Sequence, residues 1–279
     1  MTLGKTIQIY LPDGNPRSVK IVEITTSIAK GIFIPRSKLN NIEDRKELDS
    51  VGIYFLFGEN DDLGKPTVYI GEAENLIKRL KQHNSSKDFW NTAIAFFSEK
   101  NNLNKAHVKY LENYCCMMAN RVNRCNLENS VNPTKSNITE ADENFVLSLF
   151  EDINVLLGTL GYPIFEGVIK EANNKQYICQ RRNANAKGEY NEDGFVIFKG
   201  SKANLEATSS CPEGIKRFRQ SLIDKKVLSK EGGSYIFNED FMFNSPSTAA
   251  AVVIGASSNG WIEWKNSEGK TLGDIERKG

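Results

Sequence analysis

The sequence predicts an α+β fold, in which strand-rich and helical segments follow one another along the chain. Apolar residues alternate with period two over residues 6–11 and 19–24, which indicates strands, and recur at helical spacing over residues 105–122 and 140–160. Hydrophobic residues make up 39% of the 279 residues and charged residues 25%, a composition typical of globular domains. The length suits about two domains.

The N-terminal residues 1–47 predict a small β-rich module. Its first two strands are separated by Pro12-Asp13-Gly14-Asn15-Pro16, a sequence typical of a tight turn, and a third short apolar run follows at residues 32–34. We expect this module to pack on the domain that follows, and the sequence assigns it no function.

Residues 48–162 predict a second domain with a helix at its end. The expected elements are two strands over residues 51–57 and 67–70, a helix after Gly71, a strand within residues 88–98, and helices over residues 105–122 and 140–160. Glu72 and Glu74 suit the first turn of the helix after Gly71, where negative charge is favourable.

The first two strands of this domain each carry a tyrosine. The residues between the strands, 58–66, are typical of a turn. If the loop is symmetric, Phe57 pairs with Pro66 and Tyr54 lies opposite Tyr69. Cross-strand partners project from one face of a sheet, about 5 Å apart at Cβ. The sequence therefore predicts two phenols over one site.

Five residues in this domain suit phosphodiester hydrolysis. Glu112 offers a carboxylate to a hard cation such as Mg²⁺, and Arg79 offers a cationic fork for phosphate oxygens. Tyr54, Tyr69 and His83 can carry or orient protons. Taken singly, each is an ordinary strand or helix residue. Their common order and spacing, with Arg79 and His83 four residues apart on one helix face, carry the interpretation.

The tripeptides Gly52-Ile53-Tyr54 and Tyr69-Ile70-Gly71, followed by Arg79, His83 and Glu112, resemble the GIY-YIG nuclease superfamily over roughly residues 50–130. The resemblance implies a small three-stranded antiparallel sheet flanked by helices. It also implies one divalent metal on Glu112, a phosphate contact from Arg79, and a tyrosine or its water relay as the base.

The superfamily usually adds an asparagine after the glutamate. Asn123, Asn126 and Asn129 are all candidates, and we favour Asn129, in Leu127-Glu128-Asn129. The full set of candidate catalytic residues is therefore Tyr54, Tyr69, Arg79, His83, Glu112 and Asn129, with Glu112 as the metal ligand.

Residues 163–279 predict a separate α+β domain. Its expected elements are strands over residues 195–198 and 234–237, a helix over 212–227, a helix begun by Ser245-Pro246 and ended by Gly255, and a turn at Asn259-Gly260 that leads into residues 261–264. The last segment resembles a C-terminal domain of uncharacterised function found on bacterial nucleases. It is also similar to a module attached to restriction enzymes and adenine methylases. The resemblance implies an accessory domain that reads the substrate, and a plain folding cap is the alternative.

Composition narrows the remaining function classes. The net charge is +1, but residues 65–124 hold ten Lys and Arg against five Asp and Glu, a local excess that suits a polyanion. Five cysteines without a CxxC pair fit a reducing compartment, and two histidines make a His/Cys zinc site a poor fit. No signal peptide or membrane span is evident, so we expect a cytoplasmic protein.

These observations predict a DNA endonuclease that uses Mg²⁺ or Mn²⁺. The alternative is a nucleic-acid-binding module with an inactive GIY-YIG site, and a weaker one is a protein-interaction scaffold. The sequence leaves open whether RNA is a substrate. It also leaves open the choice among repair, restriction and phage defence, and the oligomeric state.

Overall fold

The computed structural model describes residues 4–42, 44–61, 64–98, 102–131, 133–166, 175–191 and 194–277. The chain divides into two compact units, Met1–Gly167 and Val168–Gly279, each with its own sheet and helices. The fold class is therefore α+β, as the sequence predicts. Among the described residues, none of the helices combines the length and the apolar composition that crossing a membrane requires.

Within its described residues, the first unit contains a seven-stranded sheet. The strands are β1 (Ile7–Tyr10), β2 (Lys20–Ile24), β3 (Ala29–Pro35), β4 (Gly52–Asn60), β5 (Pro66–Ala73), β6 (Trp90–Ser98) and β7 (Asn126–Leu127). Their order is β1-β2-β3-β6-β4-β5-β7, and only β5 and β7 run parallel. The expected three-stranded sheet is thus only the β6-β4-β5 part of a larger one. The reason is that β3 pairs with β6 along its whole length and covers the edge that three strands would leave open.

The helices of the first unit pack on both faces of this sheet. They are α1 (Leu76–Ser86), α2 (Lys105–Val122) and α3 (Glu140–Thr159), and two 3₁₀ segments span Arg36–Ile42 and Lys46–Asp49. Alternation along β4 sends Tyr54 into a buried cluster with Leu80 of α1, and Phe55 into a second cluster with Leu111 of α2. The α1 face and the α2 face are therefore opposite faces of one sheet.

The predicted pairing of the two tyrosines is two residues out of register. Tyr54 lies opposite Gly71, and Tyr69 lies opposite Leu56. Because side chains alternate with period two, a shift of two residues leaves every side chain on its face. Tyr54 and Tyr69 therefore share the α1 face as diagonal neighbours.

The error comes from the assumption of a symmetric loop. Phe57 pairs with Val68, but Asn60 pairs with Pro66, so β4 continues past Phe57 through a bulge. Residues 62–63, which are part of the expected turn, lie outside the described residues.

The described residues of the second unit form another seven-stranded sheet, with β8 paired to β9 and the other strands in the order β12-β13-β11-β9-β10-β14. The strands are β8 (Gln176–Arg181), β9 (Ala184–Asn191), β10 (Gly194–Ile197), β11 (Lys202–Asn204), β12 (Leu228–Glu231), β13 (Ser234–Phe237) and β14 (Phe241–Phe243). The helices are α4 (Glu213–Asp224), α5 (Pro246–Ile254), α6 (Gly260–Glu263) and α7 (Leu272–Glu276). The turn expected at Asn259-Gly260 is instead the start of α6, because the Asn259 side chain caps it by accepting the N–H of Trp261.

Candidate active site

The structure brings together Tyr54, Tyr69 and His83, three of the sequence-predicted site residues, on the α1 face. Tyr54 is fully buried and Tyr69 is half-buried. The ring centroids of Tyr54 and Tyr69 lie 6.2 Å apart, and those of Tyr54 and His83 lie 5.5 Å apart. The third pair, Tyr69 and His83, is separated by 5.1 Å. These side chains are one continuous set of rings, which we call the ring cluster.

Helix α1 places the guanidinium of Arg79 and the imidazole of His83 beside the hydroxyl of Tyr54. The side chain of Asn75 accepts the N–H of Lys78 at 3.0 Å and so fixes where the helix begins. The Tyr54 hydroxyl is hydrogen-bonded to Nε2 of His83 at 2.7 Å and accepts from Nε of Arg79 at 3.3 Å. A guanidinium can only donate. The Tyr54 oxygen is therefore the acceptor that holds Arg79 beside the imidazole.

Burial keeps the side chains of Tyr54 and His83 uncharged. It raises the pKa of Tyr54 above its usual range, and Tyr69 adds to the effect while Arg79 opposes it. Burial also lowers the pKa of His83 to about 4, with smaller contributions from the charges of Arg79 and Lys87. At neutral pH the phenol keeps its proton and the imidazole is uncharged.

Asn129, another candidate residue, lies at the outer edge of β5. Strand β7 pairs with Thr67 and Val68, and the side chain of Asn129 continues the pairing by one step. Its Nδ2 donates to the carbonyl of Ile70 at 2.8 Å, and its Oδ1 accepts the N–H of Ile70 at 3.0 Å. Asn129 thus takes the place of a strand at the middle residue of Tyr69-Ile70-Gly71.

The other two asparagines lie elsewhere. Asn123 ends α2 with a φ of 57° and accepts from Nζ of Lys65 at 3.0 Å. Asn126 donates to Oδ2 of Asp61 at 2.7 Å. Of the three candidates left open by the sequence, Asn129 is the one that contacts the motif, and it contacts backbone rather than the ring cluster.

Glu112 lies on α2, which packs on the face opposite the ring cluster. Burial, and then the charge of Glu72, raise the pKa of Glu112 to about 7. The backbone N–H of Glu72 and the charges of Arg79 and Lys109 act in the opposite direction. Glu112 therefore sits at the β5 edge beside Glu72, within the field of Arg79 and outside the ring cluster.

Two residues of this region were missed by the sequence reasoning. Glu72 belongs to β5, which continues to Ala73, and not to the first turn of α1. Its position directly after Gly71 is the signal that could have found it. Lys87 places its Nζ 4.5 Å from the centroid of the Tyr69 ring. It continues the four-residue spacing of Arg79 and His83, which was its signal.

The donor chemistry at the β5 edge fits a hard divalent cation. The structure's described residues contain no group of three or more His, Cys, Asp or Glu side chains that could hold a metal ion. The carboxylates of Glu112 and Glu72, however, lie close enough to repel each other. Mg²⁺ prefers oxygen donors, keeps several waters and is commonly held by one or two carboxylates. A cation between the two carboxylates would relieve their repulsion.

Comparison with known families identifies two domains in the chain. Residues 50–116 match the model of the GIY-YIG catalytic domain, and residues 177–276 match that of a domain of unknown function, DUF4357. The ring cluster, Arg79, Glu72 and Glu112 all fall within the first match, whereas Asn129 lies beyond it. No curated protein and no solved structure matches the chain.

Proposed function

We propose that the GIY-YIG catalytic domain at residues 50–116 makes this chain a DNA endonuclease, which hydrolyses phosphodiester bonds with a single divalent cation, Mg²⁺ or Mn²⁺. The observation that carries the proposal is the buried hydroxyl of Tyr54, which joins Arg79 and His83 in one hydrogen-bonded group. Positive charge held in place before the substrate arrives is what stabilises a charged transition state most effectively.

The reaction sets four requirements. A bond forms between the water oxygen and phosphorus, and the bond from phosphorus to the leaving oxygen breaks. The attacking water loses a proton, and the leaving oxygen gains one. The site must therefore hold the phosphate, orient the water, remove its proton and protonate the leaving group.

Arg79 is the group we assign to the phosphate. Its side chain is exposed, yet its Nε is fixed by Tyr54, so the outer face of the guanidinium can turn to the substrate. Its Nη1 donates to Oε1 of Gln82 at 3.2 Å, an exposed contact that phosphate oxygens can replace. A planar fork of this kind matches phosphate geometry better than a lysine does.

Tyr69 is the phenol we assign to the proton of the attacking water: it gives its own proton to solvent, accepts the proton of the attacking water as a phenolate, and solvent water supplies the proton of the leaving oxygen. Tyr54 is fully buried and its pKa is raised, so it keeps its proton and serves to orient Arg79. Tyr69 is half-buried, touches His83 through its ring and has the Lys87 ammonium over its face. A His83 imidazole with a pKa of about 4 stores a proton poorly, so we assign it the orientation of Tyr54.

Glu112 and Glu72 are the residues we propose to hold the cation. When bound, a divalent cation supplies positive charge to the phosphate and acidifies a coordinated water. The charge of Arg79 already acts on Glu112 across the β5 edge. That coupling supports the assignment of both halves of the region to one site.

Nucleic acid is the substrate class that the charge distribution favours. Lys78 and Lys81 are exposed on α1 around Arg79, and residues 65–124 carry an excess of five positive charges. Positively charged side chains bind phosphates without recognising the base sequence, and this binding weakens as the salt concentration rises. We assign the choice of substrate to the accessory domain at residues 177–276, because it follows a catalytic domain in the same chain.

The first test is incubation of the purified protein with supercoiled plasmid and Mg²⁺ or Mn²⁺. We expect nicking by the wild type and none by Glu112→Gln, with Glu74→Gln as the control, because Glu74 is exposed and paired with Lys105. No nicking by the wild type on any substrate, or equal nicking by Glu112→Gln, would overturn the proposal.

A substrate panel sharpens that test. Duplex, branched, damaged, base-modified and single-stranded DNA, together with RNA, separate repair from restriction or phage defence. Salt-sensitive binding of these molecules without cleavage of any of them would replace the nuclease with the binding module that has an inactive site.

A further inference from the structure

Both ends of α1, the helix that carries Arg79 and His83, are held by the segment 36–50, of which the structure describes residues 36–42 and 44–50. This segment precedes the matched catalytic domain almost entirely. At the N-terminal end, the Oδ1 of Asp49 accepts from Nδ2 of Asn75 at 3.0 Å, and the carbonyl of Ser50 accepts the N–H of Leu76 at 3.3 Å. Asn75 is the residue that caps α1. The contact from Asp49 therefore fixes the cap itself.

At the C-terminal end of α1, the guanidinium of Arg36 replaces the hydrogen bonds that the last helical turn cannot make. Its Nε donates to Oδ1 of Asn84 and its Nη2 to the carbonyl of Asn84, both at 2.9 Å. Its Nη1 donates to the carbonyls of Asp88 at 3.1 Å and Trp90 at 3.2 Å, and its Cζ lies 4.9 Å from the Trp90 ring centroid. The last carbonyls of a helix need such donors, and positive charge is favourable there.

The rest of the segment ties these contacts to the sheet. Arg36 follows β3 directly, and β3 pairs with β6 along its full length. Trp90, the first residue of β6, accepts from Arg36. A helix of 11 residues has little stability on its own, so its placement depends on such contacts.

We propose that residues 36–50 are a brace that sets where Arg79 and His83 stand relative to Tyr54, and that Arg36 and Asp49 are positioning residues for the reaction. The inference rests on the proposed function for its kinetic part only. The hydrogen bonds from Tyr54 to His83 and Arg79 measure 2.7 and 3.3 Å, so a displacement of about 1 Å at α1 breaks both. The N-terminal segment then has a role that its sequence pattern does not show.

The experiment compares Arg36→Gln and Asp49→Ala in the full chain. Asp49→Asn is the rescue variant, because an amide oxygen can still accept from Asn75, and Arg17→Gln is the control at an exposed arginine. Asp49 is exposed, so its replacement leaves the core intact even if Arg36→Gln fails to fold.

Two measurements are made on each variant. The first is cleavage, for which we expect kcat to fall about 10- to 100-fold in Arg36→Gln, less in Asp49→Ala, and KM for DNA to stay constant. The second is a histidine-selective ¹⁵N NMR spectrum. The chain has two histidines, and His83→Gln assigns them. We expect the His83 signals to move in Arg36→Gln and Asp49→Ala and to return in Asp49→Asn.

The two measurements separate failure of the brace from failure of the proposed function. A wild type that cleaves nothing defeats the nuclease, while movement of the His83 signals still supports the brace. Folded Arg36→Gln and Asp49→Ala proteins with wild-type His83 signals and wild-type kcat would overturn the brace and leave the nuclease standing. Equal changes in Asp49→Asn and Asp49→Ala would also overturn it, since the shared acceptor would then have no role.

Discussion

The hydroxyl of Tyr54 occupies the space in front of Gly71, its partner across β4 and β5. A Cβ on Gly71 would lie closer than 3.0 Å to the Tyr54 oxygen, a separation that real Cβ atoms do not show. At Gly52 the obstacle is different, because a Cβ there would collide with the backbone oxygen of Phe96. The glycines of both tripeptides are thus required by close approach, and the one at Gly71 makes room for the phenol that orients Arg79.

Gly71→Ala should displace that phenol. We expect the variant to lose about 100-fold in cleavage rate, because Arg79 and His83 lose their common partner. Single-turnover cleavage and thermal unfolding would be measured together. Gly214→Ala is the control, since nothing lies within 4 Å of a Cβ added there. Wild-type cleavage by Gly71→Ala would show that the Tyr54 position does not matter.

Arg79→Ala should separate chemistry from binding. We expect the cleavage rate to fall by about 10²- to 10³-fold, the loss typical of removing one fixed donor to a developing charge. Binding should change little, because the exposed lysines Lys78 and Lys81 remain. Fluorescence anisotropy with uncleaved DNA in Ca²⁺ measures binding. A binding loss as large as the rate loss would mean that Arg79 merely helps to hold the DNA.

The two tyrosines should respond differently to loss of the hydroxyl. Tyr54→Phe leaves Arg79 and His83 without their buried partner, so we expect a stability loss of about 1–3 kcal/mol as well as a loss of activity. Tyr69→Phe, at a half-buried position, should lose activity and keep its stability. Urea unfolding and cleavage rates decide between these outcomes. A Tyr69→Phe protein that cleaves normally would remove Tyr69 from the proton transfer.

The carboxylates should be distinguished by their affinity for Mn²⁺. We expect Glu72→Gln to weaken binding by about 10- to 100-fold and Glu112→Gln to weaken it at least as much. Glu74→Gln, at the ion pair with Lys105, should bind as the wild type does. Isothermal titration calorimetry measures the affinity for Mn²⁺ without any substrate. Equal affinity in Glu72→Gln and the wild type would leave Glu112 as the sole carboxylate ligand.

How much of this could be predicted from the sequence depends on what each feature requires. Helix α2 has the bounds 105–122 that apolar spacing predicts, because its buried stripe has a regular helical period. The order of Tyr54, Tyr69, Arg79 and His83 likewise predicts residues that the structure brings together. Short-range pattern is sufficient in both cases.

The features that the sequence does not predict depend on partners far away in the chain. The bulge before Asn60 shifts the register of β4 and β5, and no apolar pattern encodes it. The sheet has seven strands instead of the expected three because β3 pairs with β6, which begins 55 residues after the end of β3. Glu72 joins the region only because β5 extends past Gly71.

Glu112 should couple stability to both pH and Mg²⁺. Burial and the charge of Glu72 raise the pKa of Glu112 to about 7 in the folded protein, against an ordinary value of 4.5. Between these values the folded protein binds more protons than the unfolded chain, so stability from this carboxyl is fully present below about pH 4.5 and is lost as pH rises through about 7. The difference amounts to at most about 3 kcal/mol, because the carboxyl is partly exposed and solvent screens its interactions. Mg²⁺ needs the ionised carboxylate, so its stabilising effect should be larger at about pH 8 than at about pH 5.

The comparison of wild type with Glu112→Gln isolates this carboxyl. The lowered pKa of His83 has the opposite sign, because its stability contribution is present above about pH 6.5 and is lost as pH falls through about 4. That contribution is common to both proteins and cancels in the difference. Thermal unfolding with and without Mg²⁺ across this range should show the wild type losing stability relative to Glu112→Gln as pH rises, and regaining it when Mg²⁺ is added. Parallel curves for the two proteins would contradict both the raised pKa and the cation site, because an ionised carboxylate beside Glu72 must cost free energy unless a cation offsets it.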